Sequence, residues 1–325
     1  MIKYIRTMEE VNAVEKSNLK VVSTFSGCGG SCLGYKMAGY NVVWANEFVD
    51  EAAKTYRANF PDVELCQTDI RKVDPKALVD KFGEIDLLDG SPPCSAFSTA
   101  GTVNKGWDKV KQYSDVSQRV DDLFFEYARF LDVIKPRAFI AENVSGLTKG
   151  VSKGYYNMIL KTLSKGYNVK AFLLNAAAFG VPQARQRLFF IGARKDLGHK
   201  PTPPPQNQFK ARIRDFEELR SIRDVLGGGS KDRWIGINRP YPTVTARIGG
   251  LSRTAYMSAN GWVRDRDGSE RKLTIDEGKF ICSFPADFHL TGKLVQQWER
   301  IGRSVPPILM ANISSHVRRT ILGHP

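Results

Sequence analysis

From Lys20 to Ile191 short apolar runs alternate with helix-like segments, and this repeat constrains the fold more than any single motif does. A strand covered on both faces reads as an almost continuous apolar run, and a helical crossover must follow it if the next strand is to lie parallel. The runs predict strands at Lys20–Phe25, Val42–Ala45, Val63–Gln67, Ile85–Asp89, Arg137–Ala141, Val169–Leu174 and Leu188–Ile191. Between them the 3.6-residue period predicts helices such as Glu51–Asn59, Lys76–Phe82, Leu123–Ile134 and Tyr155–Lys165. The expected fold is α/β: a Rossmann-like, mostly parallel sheet with helices on both faces. Functional groups in such folds gather beyond the carboxyl ends of the strands.

The repeat breaks after Gly192. PTPPPQNQ (201–208), three glycines at 227–229 and an Arg-rich, weakly periodic stretch follow, which reads as a smaller irregular module over 194–271. Helices are expected again near Thr274–Cys282 and Pro307–Leu322. The expected division is therefore 1–193, 194–271 and 272–325, with the last segment completing the first. Charge is distributed unevenly along the chain. Residues 1–188 carry 25 Lys+Arg against 21 Asp+Glu, whereas 189–325 carry 23 against 13. A net charge of +14 concentrated in this way points to a polyanionic partner, the alternative being a solubilising basic surface.

Five scattered cysteines (Cys28, Cys32, Cys66, Cys94 and Cys282) support neither a disulfide framework nor a zinc site, so no metal is expected. The first twenty residues are charged throughout, and no run approaches the ~20 apolar residues of a membrane span. The expectation is a cytoplasmic, nucleoid-associated monomer without a membrane partner.

Chemistry collects at successive strand ends. The first strand runs into Phe25-Ser26-Gly27-Cys28-Gly29-Gly30, a turn whose missing side chains let a nucleotide-like ligand approach the backbone. Its spacing is not the GxGxxG of dinucleotide enzymes. The second strand ends in Asn46-Glu47, a carboxylate suited to ribose hydroxyls. The third ends in Thr68-Asp69-Ile70, an acceptor for an adenine amino group with an apolar residue beside the ring. Each acid alone reads equally well as a solvated strand end. The series of glycine turn, acid and acid describes an adenosine pocket.

The fourth strand ends in Asp89-Gly90-Ser91-Pro92-Pro93-Cys94-Ser95. Two prolines fix their own φ and restrict the residues before them, so Cys94 is delivered in a stiff geometry. An arbitrary cysteine is usually a small buried hydrophobe. A thiol held beside an adenosine pocket instead suits covalent attack. The fifth strand delivers Glu142-Asn143-Val144, either a cap for the turn that follows or a proton donor to a ring nitrogen. In Gln183-Ala184-Arg185-Gln186-Arg187, strand alternation puts Gln183, Arg185 and Arg187 on one face, able to meet a base carbonyl and phosphates. Taken alone, that segment also reads as an exposed charged edge strand.

In this order and spacing, the glycine turn, Pro92-Pro93-Cys94, Glu142-Asn143-Val144 and Gln183-x-Arg185-x-Arg187 resemble the DNA cytosine-5 methyltransferases of bacterial and phage modification systems. The likeness covers nearly the whole chain. It implies a class I S-adenosylmethionine-dependent methyltransferase fold that releases S-adenosylhomocysteine and uses no metal. It implies that Phe25, Ser26, Gly27, Gly29, Gly30, Glu47, Phe48, Asp69, Ile70, Pro92 and Leu123 surround the cofactor. It implies further that Cys94 is the nucleophile, that Glu142 acts at cytosine N3, and that Arg185 and Arg187 grip a flipped-out nucleotide. Ser95–Asp122 corresponds to a loop that closes over DNA, and 194–271 to a target-recognition domain. Arg271 to Pro285 is similar to the family's penultimate motif, and Gly302-Arg303-Ser304-Val305-Pro306-Pro307 to its last, which implies a cofactor role for Ser304 and Val305.

Three positions depart from the family pattern. Arg303 stands where the family typically has Asn, Ser95 replaces Gln, and Ile275–Ser283 is poorer in Arg, Leu and Gln than the motif it matches. The implied partners are double-stranded DNA and a separate restriction endonuclease with the same target. An RNA-directed member of the family and a catalytically silent DNA-binding relative are the alternatives. The sizeable Arg-rich module favours DNA, and the presence of Cys94, Glu142 and the glycine turn speaks against a silent relative. A nicotinamide dehydrogenase would share the sheet but has no use for Pro-Pro-Cys.

Overall fold

The computed structural model describes residues 7–93, 110–112, 117–119, 122–148, 153–208, 210–226, 234–246 and 261–324. Cys94 lies outside them, as do Ser95, most of the loop expected to follow it and the glycines at 227–229. The first part of the chain runs through α1 (Met8–Asn12), β1 (Lys20–Thr24), α2 (Gly30–Met37), β2 (Asn41–Asn46), α3 (Asp50–Asn59), β3 (Glu64–Cys66), α4 (Pro75–Phe82) and β4 (Leu87–Gly90). There follow β5 (Val110–Gln112), β6 (Ser117–Arg119), α5 (Leu123–Ile134), β7 (Ala138–Val144), α6 (Lys153–Leu163), β8 (Tyr167–Asn175), β9 (Gln183–Ala184) and β10 (Gln186–Arg194). The remainder forms β11 (Ile222–Leu226), β12 (Trp234–Gly236), β13 (Tyr241–Pro242), β14 (Trp262–Asp265), β15 (Glu270–Lys272), α7 (Ile275–Ile281), α8 (Leu294–Arg303) and α9 (Pro307–Thr320).

The seven strands expected from the apolar runs form one sheet in the order β3-β2-β1-β4-β7-β10-β8. The pairs from β3 across to β7 are parallel, whereas β10 runs antiparallel to both of its neighbours. The reversal follows from the connection. Between β8 and β10 only a short 3-10 turn and two residues of β9 intervene, too little for the helical crossover that a parallel return needs.

Strand alternation sorts the core onto the two faces of the sheet. Val21, Leu87, Ile140, Phe189 and Ile191 pack on the side of α2 and α9, and Val22, Leu88, Phe139, Leu188 and Phe190 on the side of α5 and α6. Each fully buried large side chain contributes roughly 1.5–3 kcal/mol relative to exposure. Local chemistry starts two of the C-terminal helices. Thr274 and Glu277 form a reciprocal capping box at α7, and α9 begins with Pro307, whose fixed φ suits a first helical turn.

Four short strands form a second sheet, β12-β11-β14-β15. Its apolar residues Ile222, Val225 and Val263 join the core on the α2 and α9 side of the main sheet. Further contact comes from β13, which pairs in parallel with β9.

Beneath the carboxyl edge, Asp89 is only 1% exposed and accepts hydrogen bonds from Ser23 Oγ at 2.8 Å and Tyr35 OH at 3.0 Å. Burial pushes its carboxyl from 3.8 up to about 7. Between those values the folded chain holds a proton that the unfolded chain releases, so stability falls as pH rises through the window and stays low above it. The penalty is at most about 4 kcal/mol. Asp89→Asn is therefore expected to raise the melting temperature more at pH 8 than at pH 5. Equal gains at the two pH values in thermal denaturation would refute this.

Candidate active site

The order of strands reverses between β1, which continues outward to β2 and β3, and β4, which continues to β7. Parallel α/β sheets open a crevice at such a point because the crossovers leave in opposite directions. A cavity of about 280 Å³ lies there, walled by the turn after β1, the ends of β2, β4 and β7, and the segment from Glu299 to Val305.

The turn after β1 departs from ordinary backbone geometry. Phe25 has φ 54°, Gly27 58° and Gly29 94°. The left-handed region is rare for a bulky side chain, and strain of this kind collects where a ligand must be met. Gly27 N–H donates to Glu47 Oε2 at 2.8 Å and Val49 N–H to Oε1 at 2.7 Å, so Glu47 ties the turn to the end of β2. Burial raises its pKa, and the two backbone donors oppose the rise. Gly30 is needed for close approach. A Cβ there would lie 2.5 Å from the carbonyl oxygen of Val305, forcing the last motif away from the turn. The same contact surface holds Cys28 Sγ 3.0 Å from Ser304 Oγ, and burial pushes the Cys28 thiol up to about 11, which keeps it neutral.

Most of the expected cofactor residues line this cavity: Phe25, Ser26, Gly27, Gly30, Glu47, Phe48, Ile70, Pro92, Ser304 and Val305. Gly29, Asp69 and Leu123 stand outside the lining. Gly29 is the left-handed cap of α2, and a side chain there would collide with Phe60. Asp69 accepts from Arg71 N–H at 3.1 Å and pairs with the Arg71 guanidinium at 2.9 Å. Leu123 is fully buried beneath the sheet.

Glu142 is part of β7, which runs on to Val144, so it is not a cap for the following turn. It lies opposite Phe189 in β10, and Arg187, two residues away, reaches it diagonally with Nε 3.0 Å from Oε1. Burial pushes the Glu142 carboxyl up while Arg187 and Arg185 pull it down. Ser91, Pro92 and Pro93 line the same cavity, so the segment leading to Cys94 reaches it.

Gln183, Arg185 and Arg187 do not share one continuous strand. Gln183 belongs to β9 and Arg187 to β10. Nor is the segment an exposed edge: Gln183 is fully buried and Arg185 is 2% exposed. Gln183 donates to the carbonyl of Ile281 and accepts from Val244 N–H, while Arg185 donates to the carbonyls of Val244 at 3.0 Å and Gly302 at 3.1 Å. The pair thereby ties together the main sheet, the segment after β13 and the ends of α7 and α8. Burial, with the neighbouring charge of Arg187 adding to it, drives the Arg185 pKa down to about 9.

Sequence reasoning placed Arg303 in the last motif but missed α8 and two further cavity residues it carries, Glu299 and Arg300. Trp298 and Ile301, three apart and buried, were the available signal. The donor set fits an adenosyl amino acid. Glu47 can accept from hydroxyls, Phe48, Val49 and Ile70 offer apolar surface, and the glycine turn admits close approach. Among the described residues no group of three or more His, Cys, Asp or Glu is placed to hold a metal ion, and no helix is long and apolar enough to cross a membrane.

The C-5 cytosine-specific DNA methylase family model matches residues 19–245. The type II methyltransferase M.FnuDI of Fusobacterium nucleatum is 37% identical over 93% of this chain and 95% of its own length. M1.HphI of Haemophilus parahaemolyticus, also a type II methyltransferase, is 28% identical over 92% of this chain and 87% of its own. Among solved structures, DNMT2 of Spodoptera frugiperda superposes with a TM-score of 0.68 at 18% identity, covering 92% of this chain and 99% of that one. A prophage-encoded E. coli protein, taken for a DNA modification methyltransferase, gives 0.68 at 21% identity over 94% and 100%. At these identities the structural likeness is one of fold. The match of the family model over most of the chain is one of sequence, and by it the chain belongs to the C-5 cytosine-specific DNA methylases.

Proposed function

We propose that this chain transfers a methyl group from S-adenosylmethionine to C5 of a cytosine flipped out of a specific double-stranded DNA sequence, as the modification half of a type II restriction–modification system. It would act as a cytoplasmic monomer whose target-recognition region is 194–271. A separate endonuclease would share its target. The observation that carries the reading is the meeting, around one cavity, of the strained glycine turn, the Pro92-Pro93 approach to Cys94 and the largely buried Glu142–Arg187 pair.

Cytosine C5 is a poor nucleophile while the ring is aromatic. Addition of the Cys94 thiolate to C6 forms a C–S bond and moves electron density to C5, and a proton held by Glu142 at N3 neutralises the charge that develops on the ring. Arg187 keeps the Glu142 carboxyl oriented toward the cavity. The cofactor, when bound, supplies an electrophilic methyl group on a cationic sulfur. Once C5 carries the methyl group, loss of its proton to a base, return of the N3 proton to Glu142 and cleavage of the C6–S bond restore the ring and the thiolate. Reaching C6 requires extrusion of the base, at a cost of a few kcal/mol.

Incubating randomised duplex DNA with the protein and S-adenosylmethionine, then sequencing after bisulfite treatment, tests the reading. Methylcytosine in one short sequence context is expected. Methylation of RNA with none of duplex DNA would overturn the choice of substrate, and methylation of neither would overturn the activity.

A further inference from the structure

The C-terminal turn of α8 carries a charged cluster into the cavity: Glu299, Arg300 and Arg303, immediately before Ser304 and Val305. Glu299 stands between the two arginines, with Arg300 Nη2 at 2.9 Å on one side and Arg303 Nη2 on the other. The side chains of Glu299 and Arg300 are 9% and 5% exposed, that of Arg303 32%. Glu299 and Arg300 thus form a buried base from which Arg303 reaches outward. Arg185 and Arg187 also line the cavity. Arg185 donates to two carbonyls, and Arg187 lies on Glu142.

The position of the cluster indicates which part of a ligand it meets. Ser304 contacts Cys28 and Val305 closes over Gly30, so the end of α8 sits against the glycine turn. Arg300 and Arg303 are also near enough to Glu47 to lower its pKa. An adenosyl amino acid whose ribose meets Glu47 would carry its zwitterionic end within reach of this turn. A guanidinium matches a carboxylate with two parallel donors and a full charge, which an asparagine amide cannot do.

We propose that Arg303, held in place by Glu299, binds the α-carboxylate at the amino-acid end of the cofactor and makes that carboxylate a requirement for tight binding. The inference rests on S-adenosylmethionine being the cofactor. Arg303 is the binding residue, and Glu299 is a positioning residue that fixes the guanidinium.

Isothermal titration of the full chain with three ligands tests this: S-adenosylhomocysteine, decarboxylated S-adenosylmethionine and 5′-methylthioadenosine. Arg303→Asn is expected to weaken S-adenosylhomocysteine roughly 10- to 100-fold, the range for a charge-assisted hydrogen-bonded pair. The affinities of the two ligands without a carboxylate should stay within about twofold, which also shows that the variant is folded. Arg303→Lys should retain much of the S-adenosylhomocysteine affinity, and Glu299→Gln should lose part of it, again only for the ligand with the carboxylate. An Arg303→Asn variant that weakens all three ligands equally, or none, overturns the proposal and leaves the cofactor assignment standing. A wild-type chain that binds no adenosyl ligand overturns both.

Discussion

Cys94→Ala is expected to reduce methyl transfer below detection while leaving the affinity for S-adenosylhomocysteine unchanged. Without a nucleophile at C6, the methyl group would have to be accepted by an intact aromatic ring in a single high-barrier step. Covalent addition divides that barrier in two, and each 1.36 kcal/mol removed is worth about tenfold in rate. Most of the cavity's lining comes from the turn after β1, the end of β2 and the segment from Glu299 to Val305, all remote in sequence from Cys94. Duplex DNA carrying 5-fluorocytosine at the target gives a second readout. Fluorine cannot leave C5 as a proton does, so wild-type protein should be trapped in a denaturation-resistant adduct and the alanine variant should not. Residual methylation by Cys94→Ala, or no trapping of wild type at its own target, would sink the covalent mechanism.

Glu142→Gln is expected to slow methyl transfer by roughly 100- to 10,000-fold, the usual contribution of a positioned general acid or base. Burial raises the pKa of Glu142, so its acid form persists to higher pH than that of an exposed glutamate. As pH rises through that raised value the donor is lost, and the wild-type rate should decline. The glutamine variant has no proton to lose there and should lack this alkaline limb. The substitution also deprives the largely buried Arg187 of its carboxylate, so some loss of stability is expected. Glu142→Gln combined with Arg187→Gln should recover the melting temperature but not the rate. Adduct formation across a pH series checks the alkaline limb and thermal denaturation the recovery, and a single variant within about threefold of wild type would remove Glu142 from the chemistry.

The two predictions differ in what supports them. Pro92-Pro93-Cys94 could be read directly, because two prolines stiffen any chain in which they occur. Glu142 could be placed at a strand end, but its ion pair could not. Arg187 reaches it only because β10 runs antiparallel to β7 with Phe189 opposite Glu142, a register that depends on the short connection from β8. Asp69 shows the converse. The sequence put an acid at a third strand end, and in the fold that acid is engaged by Arg71, two residues along.

Sequence alone determined the alternation of strands and helices, the two apolar faces of the sheet and the order in which glycine turn, acid, Pro-Pro-Cys and Glu-Asn-Val arrive at its edge. These are local properties, carried by periods of 2 and 3.6 residues and by glycine and proline, whose backbone preferences act wherever they stand. Tertiary structure decided which polar groups meet. Gly30 needs no side chain because Val305 closes over it, Arg185 serves the carbonyls of Val244 and Gly302, and α8 brings Glu299 and Arg303 to the cavity. Pairings between segments tens to hundreds of residues apart leave no periodic trace, and the burial that shifts Asp89, Glu142 and Arg185 from their ordinary pKa values exists only once those segments are packed.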